Sequence, residues 1–161
     1  MFFPWYGCKV RVLWKLITFE SIKTDIYQQN INRLAKKKQA TDALQQLVIE
    51  AILDKKGNDV VSLDLRKIKD TPSDYFVITH GDSSTQVKAI YDNVLKTAKE
   101  AGLDPYKTEG AKGAEWMIID FVDVTVHVFY REKRDFYALE ELWSDAKITH
   151  YGEPAKNKAL Q

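Results

Sequence analysis

The chain has 161 residues, of which 45% are apolar and 29% charged, with a formal net charge of +1. That length sets one domain with a sizeable core as the default, and the composition is ordinary for a globular protein. A single cysteine, Cys8, excludes an internal disulfide and suits a reducing compartment, and His80, His127 and His150 with that cysteine give no metal-ligand spacing.

The charge is unevenly spread. Residues 1–38 carry eight basic and two acidic groups, a net of +6, and residues 39–161 carry 16 basic against 21 acidic groups, a net of −5. An acidic body is a poor match for phosphate backbones, whose binding relies on Lys and Arg displacing counterions, and a better one for a basic protein surface. Sequence-specific nucleic-acid binding is therefore not expected. Lys9, Arg11 and Lys15 interrupt the aromatic and apolar run from Met1 to Phe19, so neither a membrane span nor a secretory h-region is expected. No acidic residue precedes Glu20, a weak mark of organelle targeting. Residues 1–39 thus read as a basic extension, disordered or non-native, with three interpretations: a start codon assigned too far upstream, a targeting segment, or an interaction arm. Intact Met1 in mass spectra of the native protein would remove the first two.

The body is expected to begin near Ala40 and to run to about 145. Thr41 or Asp42 can cap a helix in which Ala43, Leu44, Leu47, Val48, Ala51 and Ile52 recur at helical spacing, and Gly57-Asn58-Asp59 stops it. Val60–Leu65 and Asp74–Thr79 read as strands. Ser83 or Ser84 then caps a long helix to about Ala101, with Val87, Ile90, Tyr91, Val94, Ala98 and Ala101 as its apolar stripe and Gly102 at its end. Pro105–Thr108 is an edge-strand candidate. Trp116–Asp120 and Val122–Tyr130 form a hairpin, with Thr125, His127 and Phe129 on the face opposite Val124, Val126 and Val128. Arg134–Trp143 reads as one amphipathic helix packing Phe136, Leu139, Leu142 and Trp143, and 146–161 as a polar tail. The order predicts an α/β (α+β) domain, a mixed sheet of about five strands flanked by helices, with strand 74–79, helix 84–101 and the next strand as a βαβ-like element.

Two stretches could carry chemistry. The turn Gly81-Asp82-Ser83-Ser84 opens a helix, so it fits either a phosphate cradle or a capped helix. It lacks the Gly-Lys-Ser/Thr ending of a P-loop. The acids Asp120 and Asp123 are three apart at a hairpin turn, and odd spacing places strand side chains on opposite faces, so they make no ready two-metal clamp. His127 fits a structural histidine better than a general base, and no hydrolase triad can be assembled. Trp116 is either core or an exposed anchor; Glu109, Glu115 and Asp120 around it would complement a basic partner.

Several separated motifs then fall in a familiar order: Ser73-Asp74, Phe76, Ile78-Thr79, Ser83-Ser84 and Gln86-Val87; Glu109-Gly110; Glu115-Trp116 and Ile119-Asp120; Val126-His127-Val128; Arg134; Tyr137, Leu139-Glu140 and Leu142-Trp143. From about Leu44 to Trp143 the chain resembles the ribosomal silencing factor, or Iojap-like, family. The resemblance implies a nucleotidyltransferase-like fold without catalytic acids, hence no enzyme activity and no cofactor. It implies a homodimer that binds the large ribosomal subunit through ribosomal protein fourteen, blocks subunit joining, and acts in the cytoplasm unless an organelle imports it. It makes Trp116 an exposed interface anchor. The alternatives are a large-subunit assembly factor and a phosphate-handling enzyme using Gly81, Ser83 and Ser84. The chain departs from the pattern in residues 1–38 and in His80-Gly81-Asp82, where the family often has Gly-Thr.

Overall fold

The computed structural model describes residues 7–110 and 113–152, with side chains from residue 28 onward. The chain divides into two compact units, Met1–Ala40 and Thr41–Gln161. Helix α1 spans Gly7–Asp54. The expected cap at Thr41 or Asp42 is therefore overturned: the helix runs through both. Thr41 is buried, and Asp42 Oδ1 accepts a 2.8 Å hydrogen bond from the Tyr75 hydroxyl. These oxygens serve the second unit's packing instead of a helix end.

The second unit holds a six-stranded sheet in the order β3-β4-β5-β2-β1-β6. The strands are β1 (Asn58–Asp64), β2 (Tyr75–Gly81), β3 (Lys107–Glu109), β4 (Trp116–Asp120), β5 (Val124–Tyr130) and β6 (Lys147–Tyr151). The sixth, β6, lies in the stretch expected as a polar tail. Its only aliphatic side chain is Ile148, so no apolar alternation announces it, and it gains its structure by pairing antiparallel with β1 from Val60↔Tyr151 to Asp64↔Lys147. Residues 153–161 lie outside the described residues.

Helix α2 (Ser84–Glu100) buries Val87, Ile90, Tyr91, Val94 and Ala98, while Ala101, expected in the stripe, is exposed at the C-cap. Gly102 follows at φ 74. The strand after α2 is not the parallel partner of β2. β3 pairs antiparallel with β4 at the sheet edge, and the chain returns through β4 to β5, which is parallel to β2 from Tyr75↔Val124 to Gly81↔Tyr130.

Alternation divides the sheet into two faces. One packs Val60, Tyr75, Val77, Met117, Ile119, Val124, Val126 and Val128 under α2 and the Val48–Ile52 stretch of α1. Each fully buried aliphatic there contributes roughly 2 kcal/mol. The other packs Val61, Leu63, Phe76, Ile78 and Phe129 under a much shorter cover. The single helix expected over Arg134–Trp143 is two short ones, α3 (Arg131–Tyr137) and α4 (Leu139–Leu142), broken at Ala138, which adopts φ 42. Leu139 is buried and Trp143 meets the Phe76 ring edge-to-face at 5.7 Å, but Phe136 and Leu142, expected to pack, are 77% and 72% exposed. A short, broken cover leaves part of this face open, and that opening positions the candidate site.

Candidate functional site

The open part lies over β3, β4 and β5. In β4, Met117 and Ile119 are buried, whereas Trp116, Ile118 and Asp120 point to the second face and are half-buried. Register places Glu109 against Ile118, Lys107 against Asp120, Ile118 against His127 and Trp116 against Phe129. Three of the four anticipated contact residues, Glu109, Trp116 and Asp120, therefore share this face. Glu109, Ile118, Asp120 and His127 line a groove of about 260 Å³. Glu115 precedes the strand, and its carboxylate lies 3.2 Å from Lys133 Nζ, an exposed pair of small energetic weight. Gly110 fixes the approach of β3 to β4: its φ is 83, and a Cβ there would lie 1.9 Å from the Trp116 carbonyl oxygen.

Trp116 departs from the expected exposed anchor. Its indole N–H donates to His127 Nδ1 at 3.2 Å, and its ring stacks on buried Phe129 at 4.9 Å. The Tyr137 ring lies 4.6 Å from that of Trp116, and Phe136 meets Tyr137 edge-to-face at 5.1 Å. An aromatic series thus leads from the core at Phe129 through Trp116 and Tyr137 to exposed Phe136. Phe136, expected to pack, is exposed at the end of this series, and Tyr137, which packs on Trp116 and Phe129, is partly exposed. The signal that could have revealed this exposure is the crowding of Arg131, Lys133, Arg134 and Asp135 around Phe136, unusual for a packed helix face.

His127 is 6% exposed, and burial pushes its pKa down to about 4. The ring is neutral at pH 7. Because Nδ1 accepts the indole proton, the ring proton resides on Nε2, which has no hydrogen-bond partner. A buried neutral ring locked in one tautomer is a structural element first, as expected.

The turn at Gly81 satisfies itself. Ser83 is the N-cap of α2, its Oγ accepting from the Gln86 N–H at 3.2 Å, and Gln86 Oε1 accepts from the Asp82 N–H at 2.9 Å, a variant of the capping box. Ser84 is the first helical residue. Gly81 is required by packing, since a Cβ would lie 2.9 Å from the Val87 nitrogen. Asp82 accepts from Arg131 Nε at 2.7 Å and from Asn58 Nδ2 at 3.0 Å, and Arg131 holds its carboxyl below the usual range. An anion at this turn would meet that carboxylate. Asp120 and Asp123 have separate partners: Asp120 Oδ1 accepts from the Val122 N–H at 2.7 Å, and Asp123 Oδ2 accepts from the Thr41 hydroxyl at 3.5 Å. Among the described residues no group of three His, Cys, Asp or Glu side chains is placed to hold a metal ion, and no helix is long and apolar enough to cross a membrane.

Fold and site together define a small mixed α/β domain that shields one sheet face with long helices and presents an aromatic, acid-flanked patch on the other. Residues 36–161 match the family described as ribosomal silencing factor during starvation, and the chain belongs to that family. Membership places it among non-enzymatic factors of the ribosomal silencing and assembly class. Over 103 residues it is 44% identical to ribosomal silencing factor RsfS of Halalkalibacterium halodurans, covering 64% of this chain and 87% of that protein. It is 36% identical over 75 residues to the mouse protein named mitochondrial assembly of ribosomal large subunit protein 1, covering 45% of this chain and 33% of that protein. A solved Chromobacterium violaceum structure superposes with a TM-score of 0.62 at 37% identity, covering 71% of this chain and 95% of that one.

Proposed function

We propose that this chain binds the large ribosomal subunit through the Trp116 face and blocks subunit joining by occupancy. The contact is ribosomal protein fourteen, and Trp116, Glu109, Glu115 and Asp120 belong to the docking surface, with Phe136 and Tyr137 as its outermost anchors. The protein acts in the cytoplasm as a homodimer, with residues 40–145 as the ribosome-binding domain and no covalent chemistry. The observation that carries this reading is the aromatic series from Trp116 to exposed Phe136, on the sheet face whose β3–β4 groove carries the Glu109 and Asp120 carboxylates. Exposed aromatics supply large contact area at low entropic cost, and a carboxylate rim selects a basic partner. A subunit-joining assay tests it. Added protein should lower the yield of joined ribosomes, and Phe136→Ala should restore it; joining that proceeds unchanged in the presence of the protein sinks the reading.

The name of the mouse relative favours a second reading, in which the same surface serves large-subunit assembly. Ribosome profiles of a deletion strain separate the two. Precursor particles mark an assembly role, and an excess of joined ribosomes under starvation marks silencing.

A further inference from the structure

A second and larger pocket, of about 900 Å³, opens on the same sheet face at its other end, between the α3–α4 cover and β1 and β6. Its lining includes Asp59, Asp135, Glu140 and Glu141, and its one lysine or arginine is Arg134. That guanidinium is fully engaged. Nε and Nη2 donate to Glu140 Oε1 at 2.9 and 2.5 Å, and Nη1 donates to the Asp59 carbonyl at 2.7 Å and lies 2.9 Å from His80 Nδ1. Asp59, Asp135 and Glu141 therefore set the sign of the field in the pocket.

His80 forms part of the wall and is 4% exposed. Burial first, and the adjacent Arg134 second, hold its pKa below the ordinary histidine value, so the ring is neutral at pH 7. With Nδ1 accepting from Arg134, the ring proton resides on Nε2. That nitrogen has no hydrogen-bond partner, and its nearest acid, Asp59 Oδ2, is 3.9 Å away. The pocket thus combines unspent carboxylates with a buried donor that lacks an acceptor. Val60, Val61 and Ile148 add apolar lining, and β6, which contributes Ile148, His150 and Tyr151 to the wall with Gly152 just beyond it, is the last strand of the sheet.

We propose that this pocket docks an extended, basic polypeptide segment of a partner protein, separately from the Trp116 face. Each feature selects for that class. Lys or Arg side chains complement Asp59, Asp135 and Glu141. A main-chain carbonyl supplies the acceptor that His80 Nε2–H lacks, after a small rotation of the ring or of Asp59. Among the described residues β6 pairs with β1 alone, so its outer edge offers backbone groups to an extended chain, as in strand addition. A polyamine or a metal cation would answer the carboxylates alone and leave the donor unmatched.

The test uses the full-length protein and a fluorescein-labelled peptide alternating lysine and valine, followed by fluorescence anisotropy. The peptide should bind, with affinity falling as salt rises, and the counterpart with glutamate in place of lysine should not. The double variant Asp135→Lys/Glu141→Lys, at two exposed positions, should weaken binding about tenfold or more. Phe136→Ala should leave it unchanged. In ¹⁵N spectra of labelled histidine, the His80 Nε2–H signal should move with the peptide but not with spermidine. Failure of the lysine peptide to bind, equal binding of the glutamate peptide, full affinity in the charge-reversed variant, or an equal response of His80 to spermidine would each overturn the proposal.

Discussion

His127 and His80 make a natural pair for comparison. They lie on the same sheet face on neighbouring parallel strands, with Ile78↔His127 and His80↔Phe129 in register. Both are buried, both accept an N–H at Nδ1, and both leave Nε2 without a partner. Their surroundings differ in kind. His127 takes its hydrogen bond from an indole inside an aromatic cluster, where desolvation alone depresses its pKa. His80 takes its bond from a guanidinium inside a carboxylate network, where a neighbouring cation adds to desolvation. One sheet face therefore ends in an apolar patch rimmed with acids and, at the other end, in an ionic pocket. The first suits a broad protein surface and the second an extended basic chain.

The sharpest way to break the contrast is at the ionic end. Arg134→Met leaves Glu140 without its cation, His80 Nδ1 without a donor and the Asp59 carbonyl with one partner fewer, and should cost about 2 kcal/mol in urea unfolding, as expected for a partly buried charged network. A loss below about 1 kcal/mol would mean that the network is a surface ornament.

Acid titration separates the two histidines next. The folded His127 value of about 4 lies below the ordinary 6.5, so between those values the unfolded state binds the extra proton. The stabilisation is full above pH 6.5 and is lost as pH falls toward 4. Wild type should lose about 3 kcal/mol more than His127→Phe across that window. His80 acts in the same sense in both proteins, so it cancels in the difference. Parallel curves for the two proteins would contradict the assignment of His127 as a neutral buried ring.

A smaller effect belongs to the indole. Trp116→Phe keeps the stacking on Phe129 and removes one hydrogen bond, at a cost of about 1 kcal/mol. Its sharper mark is spectroscopic: the His127 ring nitrogens should shift from one tautomer to a mixture, while those of His80 stay put. The least effect on stability is expected from Phe136→Ala, within about 0.5 kcal/mol because the side chain is exposed. Any larger loss would make Phe136 part of the fold.

The parts of this structure that were legible in the sequence are those governed by local periodicity. The stripe Val87–Ile90–Tyr91–Val94–Ala98 and the alternation of β5 each identify their element without help from distant residues. Elements that depend on partners were not legible. β6 has one aliphatic residue and exists because β1 offers it a ladder, and the break at Ala138 places alanine where glycine would have given warning. The helix α1 does not start at residue 41 or 42, because it runs through both and the Asp42 carboxylate is used by Tyr75. At the site, Glu109, Trp116 and Asp120 were named from their order in the chain, but the His127–Trp116 bond requires the β4–β5 register. Phe136 and Leu142 depart from the expected packing because exposure of a short helix depends on the length of its neighbours.

Co-sedimentation with purified large subunits tests the central claim most directly. The protein should pellet with the subunits, the Asp135→Lys/Glu141→Lys variant should still do so, and Phe136→Ala should shift it to the supernatant, since hot-spot aromatics carry a large share of interface energy. A wild-type protein that stays in the supernatant, or a Phe136→Ala variant that pellets as fully as wild type, would contradict docking through the Trp116 face.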